Sequence, residues 1–177
     1  MRTLIFAVTF LGLLTDIVSA SNAIQLINKG NDGSTVYQTV NINHHTNVAA
    51  FNIYSGPHSS NAIVDYNSGM IAYHMPYKRI CVVSRMNRNN FPNISQLDQM
   101  THQGQSIHSI SRSYGISRQL VSNMGTLGAP IQAICSGLTT YWATEYARPP
   151  PLVGGRACAR VNLLILNVNL CGGISLF

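Results

Sequence analysis

The sequence predicts an α+β domain in which five short strands are followed by two helices. Between residues 36 and 86, runs of β-branched and aromatic residues alternate with turn-rich pieces, which is typical of strands joined by hairpins. After residue 90, apolar residues recur at helical spacing instead. The chain has 177 residues, which is enough for one domain with a buried core.

The five strands are predicted from short runs of β-prone residues. The runs are VYQTVNI, NVAAFNIY, NAIVDY, MIAYHM and ICVVSRM. The pieces between them, such as NHHTN and SGPHSSN, have the length and composition of hairpin loops. Because tight connections join antiparallel neighbours, we expect these runs to form an antiparallel meander.

Two helices are predicted after the strands. The apolar side of the first consists of Ile94, Leu97 and Met100. Pro92 lies near its first turn, and Asn93 with Gln96 forms a capping pair. The apolar stripe of the second consists of Leu127, Ile131, Ile134, Cys135 and Leu138. Pro130 can begin this helix and Gly137 can end it.

The other segments are assigned from their composition. Residues 1–20 are predicted to be a secretory signal peptide, because a basic start precedes an apolar run too short to cross a bilayer and small residues follow. Residues 21–34 form a lead segment before a domain expected to cover residues 35–147. Within that domain, residues 103–126 are expected to be a mobile loop because they are rich in Ser, Gly, Gln and Arg.

Two segments follow the expected domain. Residues 148–156 are expected to be a Pro/Gly connector, stiff at first and then flexible. Residues 157–177 are the most β-prone stretch of the chain and include RVNLLILNVNL. Because an exposed apolar strand recruits other strands, this segment must pair with the domain or promote aggregation.

The charge pattern limits the classes of partner. The net charge is +6, but Lys78-Arg79 is the only adjacent basic pair, and the other bases are scattered. A nucleic-acid groove would need clustered bases with interleaved aromatic residues, so we expect no nucleic acid partner. Weak attraction to acidic glycans or mucins fits this pattern better.

No constellation of catalytic residues is found in the sequence. Spacing brings no two of the acids Asp65, Asp98 and Glu145 together, and no G-x-S-x-G motif occurs. We therefore predict no enzyme activity, no catalytic residues, no cofactor and no metal site. The catalytic alternative is a basic secreted hydrolase that uses histidines with Lys or Arg. Its candidate histidines are His44, His45, His58 and His74.

Two covalent features are predicted for an exported chain. The cysteines are Cys81, Cys135, Cys158 and Cys171, without a CxxC spacing, and they allow three disulfide pairings. Asn93-Ile94-Ser95 is an N-glycosylation sequon. The alternative for Asn93 is an unmodified residue that caps the helix.

The order of these elements resembles that of the BRICHOS domain family, and the sequences of individual segments resemble the gastrokine branch of that family. The segments that carry the resemblance are TVNINHHTNVAAFNIYSG, IVDYNSGMIAY, RICVVSRMN, ICSGLTTYWATE and GGRACARVNLLILNVNLCGG. The resemblance covers about residues 35 to 171 and implies a five-stranded, mostly antiparallel sheet packed between two helices, with a C-terminal disulfide-closed β-hairpin.

The resemblance also implies roles for individual residues. Asp65 matches the family's acid and is expected to be structural. Cys81 and Cys135 match the family's disulfide, which would clamp the second helix to the sheet. Cys158 and Cys171 then remain to close the C-terminal hairpin.

The function implied by the resemblance is that of a secreted, extracellular protein with chaperone-like, anti-aggregation activity and a role in gastric mucosal protection or growth restraint. Extended β-prone peptides or proteins are the expected clients, and RVNLLILNVNL is expected to be an internal client or an edge strand. Any association with trefoil peptide or mucin is expected to be non-covalent, because His58 stands where some relatives carry an unpaired cysteine. A homo-oligomer is a further open alternative. The alternative function is a secreted binding module for mucin, glycan or a receptor.

Overall fold

The structure is a computed structural model that describes residues 22–29, 35–102, 110–146, 156–163 and 166–173. The predicted signal peptide lies outside the described residues. Residues 103–109 of the predicted loop and residues 147–155, nearly the whole predicted connector, lie outside them as well. None of the helices in the described ranges is long and apolar enough to cross a membrane.

Ten strands and two α-helices make up the described fold. The strands are β1 (Asn22–Lys29), β2 (Thr35–Asn43), β3 (Val48–Tyr54), β4 (Ser60–Asp65), β5 (Met70–Met75), β6 (Ile80–Arg85), β7 (Ile110–Leu120), β8 (Thr139–Tyr146), β9 (Arg156–Leu163) and β10 (Leu166–Gly173). The helices are α1 (Ile94–His102) and α2 (Ala129–Cys135). Short 3₁₀ helices occupy Gly56–His58, Pro76–Lys78 and Met124–Leu127.

All ten strands belong to one mixed sheet. Its order is β1-β2-β3-β4-β5-β6-β8-β7-β10-β9. Strands β1 to β6 form an antiparallel meander, as the loop lengths between β2 and β6 predict. The pairs β6–β8 and β7–β10 are parallel, whereas β7–β8 and β9–β10 are antiparallel.

The prediction of a five-stranded sheet packed between two helices is wrong. In the part of the chain that the structure describes, the sheet has ten strands, and the two helices pack on only parts of its faces. The segment expected to be a mobile loop contains β7 and the 3₁₀ helix Met124–Leu127. Strand β7 was missed because its buried Tyr114 and Ile116 are flanked by small and polar residues, so that its hydrophobic alternation is weak.

The two faces of the sheet carry separate apolar clusters. Alternate residues of β2, such as Val40 and Ile42, are buried on what we call the first face, where α1 packs through Leu97. On the opposite, second face, Ile131 and Cys135 of α2 pack within a smaller cluster. The sheet residues of this smaller cluster are Met70, Ala72, Cys81 and Val83.

The predicted capping pair of α1 is confirmed. The side-chain oxygen of Asn93 accepts a hydrogen bond from the backbone N–H of Gln96 at 2.8 Å. The Gln96 side-chain oxygen accepts one in return from the backbone N–H of Asn93 at 2.9 Å. This reciprocal pair satisfies two backbone donors and fixes where α1 begins.

The C-terminal segment is an integral part of the sheet. Strand β10 lies between β7 and β9, and its Val168 and Leu170 are completely buried on the first face. Strand β9 pairs antiparallel with β10, and the Cys158–Cys171 disulfide joins directly opposite residues of this hairpin. RVNLLILNVNL was expected to be either an internal client or an edge strand. It is part of the sheet, and β9 is the edge strand.

The Cys81–Cys135 disulfide joins β6 to the end of α2 across 54 residues, and the two cysteines are buried. We expect the double variant Cys81→Ala/Cys135→Ala to lower the free energy of unfolding by about 4 kcal/mol, because the open chain gains conformational entropy. The matched variant Cys158→Ala/Cys171→Ala opens a 13-residue separation and is expected to cost about 3 kcal/mol. Urea unfolding followed by circular dichroism measures both; a larger loss for the shorter loop would contradict the entropic account.

Candidate functional site

Asp65 closes the turn between β4 and β5. Its carboxylate, which is buried, accepts hydrogen bonds from the backbone N–H groups of Asn67 and Ser68 at 3.0 and 3.3 Å. The Ser68 hydroxyl donates a third hydrogen bond to it at 2.7 Å. These bonds are those of an Asx turn, and they occupy the carboxylate with the turn's own backbone.

Tyr66, the residue after Asp65, ties the same turn to the segment that leads into α1. Its hydroxyl donates to the carbonyl of Pro92 at 3.0 Å, and its ring lies 6.3 Å from that of Phe91. Arg88 donates to the Tyr66 carbonyl at 2.7 Å. The Asp-Tyr pair therefore anchors the β4–β5 turn on both sides.

Gly128, directly before α2, packs against the Asp65 carboxylate. Its φ is +82° and its ψ is 149°, a region that is nearly restricted to glycine. A Cβ at this position would lie 2.8 Å from the Asp65 Oδ2. The acid thus lies where the β4–β5 turn meets the start of α2, and its neighbour there must be glycine.

The first face is strongly concave around two buried tyrosines. Tyr73 in β5 and Tyr114 in β7 are separated in the sheet by β6 and β8, yet their ring centroids are 5.8 Å apart. Burial raises the pKa of both hydroxyls, that of Tyr114 to about 12. Both groups therefore stay neutral and serve the packing of this face.

An apolar row is exposed on the second face, beyond the part that α2 covers. Tyr37 lies opposite Ile27 of β1 and opposite Tyr54 of β3, so that the three side chains point the same way. Ile27, Tyr37 and Tyr54 are 68%, 53% and 50% exposed. We call these three residues the apolar row; a patch of this kind is typical of an interaction surface.

A polar row runs beside the apolar row. Asn61 donates to Asn52 at 2.7 Å, and Asn52 donates to Thr39 at 3.0 Å. His74 lies opposite Asn61 and Cys81 and continues this row. Burial lowers the pKa of the His74 imidazole. The hydrogen-bonded side chains, which are partly buried, give this part of the second face a fixed polar surface.

The edge strand β1 adjoins the apolar row. Its sequence NAIQLINK has no charge before Lys29 and no proline. Within the described part of the chain it pairs only with β2, so its outer backbone groups have no strand partner. Natural edge strands are usually protected by charge, proline or a bulge, and β1 has none of these up to Asn28.

Of the histidines named for a catalytic alternative, His44 and His45 are neighbours in the β2–β3 turn, where His44 contacts Asp98 of α1 at 2.9 Å. His58 stacks edge-on against Tyr77, and His74 lies in β5. Among the residues described, no group of three or more His, Cys, Asp or Glu side chains could hold a metal ion.

Asn93 of the sequon is exposed, and so is Ser95. The Oδ1 of Asn93 is the helix cap, whereas its Nδ2, the atom to which a glycan is attached, donates to none of the described residues. Capping and modification are therefore sterically compatible at this position.

The apolar row was not predicted from the sequence. One signal could have found it: if the predicted β2–β3 hairpin turns at residues 44–47, Tyr37 and Tyr54 must fall opposite each other. The contribution of Ile27 depends on β1, which was not predicted as a strand.

Comparison with known proteins identifies the class. The BRICHOS domain profile matches residues 56–142, which include Asp65 and the Cys81–Cys135 disulfide. The chain belongs to the BRICHOS domain family.

Within that family the chain is gastrokine-like. It is 30% identical to rat Gastrokine-2 over 99% of this chain and 100% of the relative, and 32% identical to mouse Gastrokine-2 over 96% and 98%. It is 30% identical to mouse Gastrokine-1 over 97% of each chain. No solved structure matches it.

The contact between Gly128 and Asp65 generates a stability prediction. Gly128→Ala is expected to lower the free energy of unfolding by about 3 kcal/mol, because it combines a strained backbone with a steric clash. Gly137→Ala is the matched control, since Gly137 also has a positive φ of +72° but open space around it; about 1 kcal/mol is expected. In an Asp65→Ala background the two losses should converge, and an unchanged difference in urea unfolding would mean that the carboxylate is not the obstacle.

The lowered pKa of His74 generates a pH prediction. The folded state takes up this proton less readily than the unfolded chain, so His74 should reduce the free energy of unfolding as the pH falls below about 6.5. His74→Gln should therefore flatten the loss of stability between about pH 7.5 and about pH 5. His45→Gln, at an exposed turn position, is the control and should leave that loss as it is. Urea midpoints at both pH values measure it, and equal losses in all three proteins would refute the prediction.

Proposed function

We propose that this chain is a secreted, chaperone-like protein that binds extended β-prone segments of other chains and delays their aggregation. The family resemblance suggests this activity, and the exposed apolar row beside the edge strand β1 is the observation that carries it. In this proposal a client pairs with the outer edge of β1 through backbone hydrogen bonds. Its side chains then extend the row formed by Ile27, Tyr37 and Tyr54.

The composition of β1 supports this mode of binding. Before Lys29, the backbone groups of β1 can accept an extended segment without desolvating a charged side chain. The adjacent aromatic residues offer large apolar area at low entropic cost, since each has only two side-chain torsions. The affinity for a client would thus come mainly from backbone hydrogen bonds to β1, and the preference among clients from contacts with the apolar row.

The sheet already accommodates one extended β-prone segment. The parallel pairing of β10 with β7 buries Val168 and Leu170 of the chain's own tail. A client on β1 would add a strand at the other end of the same sheet, because β1 and β9 are the outermost of the described strands. The role of the tail itself is structural in this proposal.

Secretion and the wider biological role belong to the same proposal. The predicted signal peptide, the two disulfides and the gastrokine relatives support a secreted protein of gastric mucosa. We propose a mucosal protective or growth-restraining role, N-glycosylation of Asn93, and non-covalent rather than covalent association with trefoil peptide or mucin. BRICHOS and gastrokine proteins are not known as enzyme families, and we propose no catalytic activity for this chain.

The edge of β1 is tested by a charge substitution. Ile27→Lys removes the most exposed apolar side chain of the row and places a cation on the edge strand. We expect this variant to lose most of the delay that the wild-type protein imposes on fibril formation by a synthetic amyloid-forming peptide. Thioflavin T fluorescence measures that delay.

The matched control is Leu120→Lys on β7. Leu120 is also an exposed apolar residue, and its substitution makes the same change in net charge. We expect Leu120→Lys to delay fibrils as the wild-type protein does. Full activity of Ile27→Lys, or equal loss in both variants, would refute the role of the β1 edge. Size-exclusion chromatography of the wild-type protein shows whether a second copy, rather than a client, occupies that edge.

A further inference from the structure

A cavity lies where the neighbouring strands β6 and β8 separate. The parallel pairing of β6 with β8 ends at Ser84 and Ala143, and beyond these residues the strands no longer hydrogen-bond to each other. A cavity of about 620 Å³ opens there. Its lining includes Arg85, Asn87, Gln119, Trp142, Thr144 and Glu145. A volume of this size is that of a small-molecule site.

Trp142 gives the cavity a fixed aromatic wall. It is the only tryptophan of the chain. The residue is half-buried and packs against the second-face cluster that contains Ile131 and Cys135, while it also lines the cavity. An aromatic ring held by packing on one side can offer its remaining surface to the apolar face of a flat, polar-rimmed ligand.

The charged groups of the lining differ in their availability. Glu145 pairs with Arg112 at 3.4 Å. Arg85 is exposed, and its side chain makes no hydrogen bond or ion pair with the residues that the structure describes; only its backbone carbonyl accepts, from the Ser84 hydroxyl. Its guanidinium therefore has its donors available for a ligand anion, and their planar arrangement suits a carboxylate or a sulfate.

The remaining polar groups of the lining are uncharged. Within the described residues the side chains of Gln119 and Thr144 form no hydrogen bonds, and Asn87 uses only its oxygen, for the N–H of Asn89. Hydroxyl and amide groups that converge beside an aromatic wall match the alternating hydroxyls of a sugar ring. An extended apolar segment would leave these groups unpaired, so it fits this cavity poorly.

We propose that this cavity binds an anionic saccharide, with the sugar ring against Trp142 and its acidic group on Arg85. The site is independent of the proposed client edge, since β6 and β1 are separated by four strands of the sheet. The ligand class is a glycan whose terminal sugar carries a carboxylate or a sulfate. The net charge of +6 favours the approach of such a ligand.

The single tryptophan makes the test selective. Intrinsic fluorescence of the full chain is titrated at constant ionic strength with 3′-sialyllactose, with lactose 3′-sulfate and with lactose. We expect a saturable change with at least one acidic sugar and about tenfold weaker binding of lactose, because lactose leaves Arg85 unpaired. The acidic sugar that binds identifies whether the recognised group is a carboxylate, a sulfate or either.

Two variants assign the binding to Arg85. Arg85→Gln should weaken binding of the acidic sugars by about tenfold, to the level of lactose. Arg79→Gln is the matched control, because Arg79 is also exposed and directly precedes the other end of β6. The circular dichroism of both variants should match that of the wild-type protein.

Three results would overturn the proposal. The first is the absence of a saturable fluorescence change with either acidic sugar, and the second is equal affinity for lactose. The third is the same loss of affinity in Arg79→Gln as in Arg85→Gln, which would indicate general electrostatic attraction. Each leaves the fibril assay of Ile27→Lys unaffected, so the two proposals fail separately.

Discussion

The Cys81–Cys135 disulfide is the constraint on which the second face depends. Helix α2 has only seven residues, and a helix of this length is not stable by itself in water. The disulfide and the packing of Ile131 hold it on the sheet, where it shields Met70 and Ala72 from solvent. The Gly128 approach to Asp65 then fixes where this helix begins. The covalent bond and the buried acid thus act at opposite ends of one short element.

The helix held by this disulfide lies between the two candidate surfaces. Because α2 covers the middle strands, the apolar row near β1 stays apart from the cavity between β6 and β8. Trp142 packs against the cluster that α2 completes, so the wall of that cavity also depends on the disulfide. The sheet therefore presents an apolar surface and a cavity with polar lining residues at different places.

Local signals made part of the fold predictable from the sequence. The meander from β2 to β6 follows from short β-prone runs and hairpin-length loops, and the start of α1 follows from the Asn93–Gln96 pair. Two of the remaining strands depend on distant partners: β8 enters the sheet beside β6, and β10 beside β7, only after long crossovers. Their sequences contain β-prone residues, but no local sequence pattern specifies the strand with which each of them pairs.

The candidate surfaces were less predictable than the fold, because both depend on register. Ile27 and Tyr37 become neighbours only once β1 is paired, and Arg85 and Trp142 line one cavity only because β6 pairs with β8. Asp65 was an exception, since an acid before Asn67 and Gly69 is a recognisable turn signal. Its place beneath Gly128, however, required the fold.

The position of β7 has a consequence for the order in which this protein can fold. Both of its neighbours, β8 and β10, follow it in the chain, and contacts with β10 span as many as 56 residues. During synthesis the strand is therefore complete long before its last partner exists, and its edge stays open until the C-terminal hairpin arrives. Closing contacts of such long range is slow, so the final β-hairpin sets when the sheet becomes whole.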